Sequence, residues 1–107
     1  MKSVTIASIK RCMNGKKVKF LGSYVLPTVP ADINEKLKGS YDVPVSVISF
    51  NTVDMMRTAE NGTVSHCSLK GIKAYAGDSG FLMTTDWNDG VNVMIYQFAD
   101  KDNGGIL

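Results

Sequence analysis

Ser79, inside Gly77-Asp78-Ser79-Gly80, is the residue of this 107-residue chain whose surroundings look most like chemistry. A serine hydroxyl attacks only when a base takes its proton, and that base is normally a histidine steadied by a carboxylate. The chain has one histidine, His66, upstream of the serine. The G-x-S-x-G nucleophile elbow needs a glycine where Phe81 stands, and a histidine after the serine, where there is none. Lys73 is the other nearby base, but no motif ties it to Ser79.

Residues 77–80 resemble the nucleophile loop of chymotrypsin-like proteases. That resemblance would make Ser79 a nucleophile and His66 its base. It spans only this tetrapeptide, and those proteases divide histidine and serine between two β-barrels, more than 107 residues can build. Turn chemistry accounts for every residue instead. Glycines 77 and 80 permit tight backbone angles, and Asp78 and Ser79 are good turn formers. The expectation is a turn, no catalytic residue and no enzyme.

Metal and cofactor chemistry is equally thin. Cys12 and Cys67 lie far apart and form no C-x-x-C pair. Two cysteines and one histidine fall short of a structural zinc set, so both thiols are expected reduced and partly buried. The acidic stretches "DWNDG" and "DKDNGG" echo calcium loops without the spacing or the closing glutamate. Neither a P-loop nor a dinucleotide fingerprint occurs. No metal and no cofactor are expected. Asn61-Gly62-Thr63 fits a glycosylation acceptor, but no apolar stretch of signal-peptide or membrane-span length accompanies it. The chain reads as cytoplasmic.

The basic residues carry the most specific binding signal. Net charge is only +2, yet residues 1–38 hold eight Lys/Arg against two acids, and residues 39–107 hold four against eight. Lys10, Arg11, Lys16, Lys17 and Lys19 crowd around Asn14-Gly15. Asn-Gly is the strongest short-range hairpin signal, because it supplies positive φ angles. A hairpin turning there faces Lys10 with Lys19 and Cys12 with Lys17. Like charges in register repel, so a basic tip of this kind suits an anionic partner. That partner is an acidic protein surface or, alternatively, a nucleic acid or nucleotide tracked through its phosphates. A solvated lysine edge is the plain explanation of the same pattern.

The remaining elements follow from turn signals and periodicity. Asp89-Gly90 predicts a second hairpin, with Phe81, Met83, Trp87, Met94, Tyr96 and Phe98 on one face and Leu82, Val91, Val93 and Ile95 on the other. Apolar residues on both faces mean strands covered on two sides. "PADINEKLKG" (30–39) predicts a short helix, with Pro30 at its start and Gly39 at its end. "VPVSVISF" (43–50) predicts a strand that Pro44 places at an edge or opens. For 51–62 the spacing of Val53, Met56 and Ala59 favours a helix, with an Asn61-Gly62 hairpin as the alternative. "GIKAYA" reads as a strand. The polar, glycine-rich tail is expected to fray.

The composition, 44% apolar and 21% charged, is that of one ordinary globular domain over residues 1–107. The expected fold is α+β, mainly antiparallel: a small sheet or open barrel of six or seven strands with one or two short helices. The expected function is non-enzymatic docking on another macromolecule, as an accessory or inhibitor protein. Nucleic-acid or nucleotide binding through the basic hairpin is the alternative, and a serine hydrolase at Ser79 stands last. A homodimer through an edge strand such as 43–50 is consistent with this reading.

Overall fold

The computed structural model describes residues 1–31, 43–99 and Ile106. Its first strand, β1 (Lys2–Val4), is short, and the chain then turns into a helix, α1 (Ile6–Met13). This overturns the N-terminal hairpin. Thr5 caps the helix, its hydroxyl accepting from the Ser8 N–H at 3.0 Å. Ile6, Ile9 and Met13 recur at helical spacing, and Ile9, Cys12 and Met13 are buried. Lys10 and Arg11 occupy the last turn, where the helix dipole favours cations. Asn14 ends the helix and Gly15 follows at φ +79°, a left-handed position that suits glycine after a helix. The dipeptide therefore closes a helix instead of turning a hairpin, and Lys10 does not face Lys19.

Seven more strands follow: β2 (Lys17–Leu26), β3 (Val45–Phe50), β4 (Asp54–Ala59), β5 (Val64–Ser68), β6 (Lys73–Ala76), β7 (Gly80–Trp87) and β8 (Gly90–Phe98). All pairings are antiparallel, in the order β1-β6-β7-β8-β2-β3-β4-β5. The mainly antiparallel α+β character stands, with eight strands among the described residues where six or seven were expected. Strand 43–50 begins just after Pro44 and lies between β2 and β4, so it is interior. The edges are β1 and β5. Residues 54–59 form a strand and not a helix, because Met55 and Arg57 alternate onto the inner face while Asn61-Gly62 turns the chain into β5. The 30–39 helix falls almost wholly outside the described residues, as does most of the tail. Ile106 is described, and it is buried in the core rather than frayed.

The C-terminal hairpin forms with the expected faces but a shifted register. Its two-residue loop is Asn88-Asp89, with Asn88 at φ +48°, so Phe81 pairs with Tyr96 and Met83 with Met94. Phe81, Met83 and Tyr96 join Ile9, Met13, Val18, Ile48 and Met55 in the main core. Leu82, Val93 and Ile95 build a second cluster on the opposite face, with Leu21, Leu26, Val29, Tyr75 and Val91 against it. Trp87 departs from expectation: at the hairpin tip it is 55% exposed.

A bulge sets the shape. Leu21 is the extra residue of β2, and Gly22 beside it has φ +117°. The Tyr24 ring lies over Gly22, and its hydroxyl donates to the Leu21 carbonyl at 3.1 Å. The sheet also curls strongly. Strands β5 and β8 are four positions apart, about 19 Å in a flat sheet, yet Cys67 Sγ on β5 lies 3.7 Å from Met94 Sδ on β8. The β4–β5 hairpin therefore folds over the inner face, with α1 filling the space beside it.

Candidate functional site

The curl leaves a cavity of about 180 Å³ between β8 and the overlying β4–β5 hairpin. Strand β2 contributes Phe20 and Ser23, and β8 contributes Met94 and Tyr96. Met55 and Arg57 come from β4, and Ser65, His66 and Cys67 from β5. The bulge at Leu21 matters here. It restores Ser23 to the inner face, in register with Met94.

Aromatic contacts build the floor. Phe81 and Tyr96 stack at 4.8 Å between centroids, and Phe20 tilts against Tyr96 at 5.2 Å. The Arg57 guanidinium lies 4.1 Å above the Phe20 ring, a cation–π contact that holds its plane and leaves its N–H edge for other partners. No ion pair engages Arg57 among the described residues. Tyr96 is 2% exposed, and among the described residues no buried side-chain nitrogen or oxygen is left without a hydrogen-bond partner. Burial pushes the Tyr96 phenol far above its ordinary range; the Cys67 charge adds to this and Arg57 opposes it. Burial also raises the Cys67 thiol, with Asp54 adding to the effect. Cys67 contacts Met94 Sδ and the Ser68 carbonyl, and both described cysteines are free thiols. Among the described residues no cluster of three His, Cys, Asp or Glu side chains is placed to hold a metal.

The structure separates the residues singled out in the sequence. Ser79 lies in the turn between β6 and β7, where its carbonyl accepts from the Phe98 N–H at 2.9 Å. His66 lines the cavity and Ser79 does not. Lys73 opens β6. Of the five clustered cations, Lys10 and Arg11 are on α1, Lys16 is in the connection, and Lys17 and Lys19 are on β2. Lys10 Nζ donates to the Thr52 carbonyl at 3.3 Å, and Arg11 donates to Ser8 Oγ at 3.2 Å. Arg57 and Tyr96 are the cavity's polar groups that sequence reasoning missed as a pair. Their meeting depends on β4 being a strand and on the sheet's curl, and only the first has a signal, the Asn61-Gly62 turn.

Strand β5 borders the cavity and forms one edge of the sheet. Leu69 N–H bonds to the Val53 carbonyl and Ala59 N–H to the Thr63 carbonyl, both at 2.9 Å. With the β4–β5 register, these bonds put residues 65 and 67 in the pairs that bond inward. The backbone N–H and C=O groups of Val64, His66 and Ser68 consequently point away from β4. Beside Ser68, Lys10 and Lys70 border a groove that also includes Val53 and Leu69.

No protein-family model matches the chain, and no curated protein matches it in sequence. No helix among the described residues is long and apolar enough to cross a membrane.

Proposed function

We propose that this protein is a non-enzymatic docking module that captures a partner protein by adding an extended segment of the partner to the edge of β5. One observation carries the reading: β5 is a five-residue edge, Val-Ser-His-Cys-Ser, without lysine, acid, proline or bulge. Edges that are not used for binding are normally blunted by such devices. The other edge, β1, is only three residues long and carries Lys2. Strand addition draws affinity from main-chain hydrogen bonds and selectivity from alternate side chains. Val64, His66 and Ser68 offer those main-chain groups. Lys10 and Lys70 flank the Ser68 end and favour an acidic residue there.

The test is His66→Pro. Proline at 66 removes an outward N–H and leaves the inward bonds of Ser65 and Cys67 in place. The variant keeps the fold, read by its NMR fingerprint, and loses the partner that wild-type protein captures from host lysate after nuclease treatment. A partner retained by the variant refutes the edge assignment. Capture abolished by nuclease transfers the function to nucleic-acid binding, and concentration-dependent self-association of pure wild-type protein makes the partner a second copy.

A further inference from the structure

Beyond docking, the cavity beneath β5 has the composition of a ligand site. Two of the polar side chains that line it are Arg57 and Tyr96. The Arg57 guanidinium lies 4.1 Å from the centre of the Phe20 ring, and Tyr96 is a buried residue. A guanidinium with no ion pair among the described residues and a phenol at the same cavity wall offer N–H and O–H donors that a ligand can engage. Both groups donate, and Arg57 is positive. Their common complement is an anionic oxygen pair.

The walls define the rest of the ligand. Phe20, Met55 and Met94 form an apolar side, Ser23, Ser65, His66 and Cys67 a more polar one, and among the described residues Arg57 is the one arginine or lysine lining the space. A single guanidinium beside the apolar side formed by Phe20, Met55 and Met94 suits a monoanion with an apolar body better than a phosphate dianion. The volume, about 180 Å³, compares with roughly 150 Å³ for an apolar protein cavity that holds benzene.

We propose that this cavity binds a small organic monocarboxylate, its oxygens taking the Arg57 guanidinium and the Tyr96 hydroxyl and its apolar body lying against Phe20, Met55 and Met94. A free acid and the carboxylate of a peptide's C-terminal residue share this chemistry.

The experiment is an NMR titration of the wild-type protein with benzoate, benzamide and inorganic phosphate. Benzoate is expected to shift the amides around the cavity saturably, with a Kd on the order of millimolar, and benzamide to bind at least about tenfold more weakly. Tyr96→Phe, which keeps the ring stack, and Arg57→Gln each weaken benzoate about tenfold, and Arg57→Lys falls between. Equal binding of benzoate and benzamide, equal binding by wild type and both variants, or tighter binding of phosphate overturns the proposal. Absence of any saturable shift overturns it too. A short peptide ending in phenylalanine, free or amidated at its C-terminus, identifies the source: tighter binding of the free-carboxyl peptide than of benzoate assigns the site to a chain end, and weaker binding assigns it to a free acid. These readouts are separate from partner capture, so the cavity and the docking edge can fail independently.

Discussion

Hairpins β4–β5 and β7–β8 each carry an Asn- or Asp-Gly sequence at or beside the turn, yet one forms a sheet edge and the other the sheet's centre. Strand β8 is hydrogen-bonded on both sides, and the hairpin is apolar on both faces, with Phe81, Leu82, Met83, Val93 and Ile95 almost wholly buried. In β5 the alternation is half-exposed against exposed, and no residue is fully buried. Similar turns thus serve a structural spine in one place and an accessible rim in the other. The difference lies in what covers the strands, not in how they turn.

Glycine substitutions test this contrast most severely. A Cβ on Gly80 would run into the Tyr96 carbonyl, which belongs to the paired backbone and cannot withdraw. Gly80→Ala is expected to cost about 3 kcal/mol or more in urea denaturation. Gly62 in the β4–β5 turn has open space around it but φ +87°. Gly62→Ala is expected to cost about 1 kcal/mol, the strain of a left-handed alanine. Equal costs would break the comparison.

Core truncation gives the next largest effect. Leu82 is fully buried, so Leu82→Ala should lose about 2–5 kcal/mol. Val64 on β5 is 46% exposed, and Val64→Ala should stay within about 0.5 kcal/mol. Chemical denaturation of both variants sharpens the boundary between spine and rim.

Alkaline pH probes the contact between the two regions. The folded state holds the Tyr96 proton more tightly than the unfolded chain does. The associated stability is complete below the unfolded tyrosine value of about 10 and is lost progressively as pH rises above it. Cys67 acts with the same sign, starting at lower pH because a thiol ionises earlier. Tyr96→Phe should flatten the alkaline limb of a stability–pH profile by at least about 1 kcal/mol. An unchanged limb would show that the phenol is not sequestered in solution.

Surface charge should matter least. Lys17→Glu and Lys19→Glu, on β2, are each expected to move stability by no more than about 0.5 kcal/mol. Both variants should retain the partner captured through β5, as read in the same capture assay.

Three Asn/Asp-Gly dipeptides show how far the sequence can be read. Asn61-Gly62 turns a hairpin through Gly62. At Asp89-Gly90 the loop is shifted back one residue, and Gly90 begins a strand where a Cβ would strike the Leu26 carbonyl. Asn14-Gly15 ends a helix. The dipeptide reports a permitted backbone angle, and the flanking periodicity decides which element uses it. Ile6, Ile9 and Met13 carried that information for α1. The two-sided burial of β7–β8 was legible because its apolar residues are consecutive. The cavity was not: Arg57 and Tyr96 come from strands separated by two others, and only the curl brings them together. No local pattern encodes a contact across that span.

The position of β8 has a consequence for the making of the protein. This strand joins β7 to β2, and β2 in turn carries β3, β4 and β5. Until residues 90–98 leave the ribosome, the β3–β5 meander with β2 and the β6–β7 hairpin have no ladder between them. β2 must wait about seventy residues for its long partner, a wide loop whose closure is costly and slow. Synthesis therefore delivers two unfinished half-sheets, and β8, made after the other described strands, welds them.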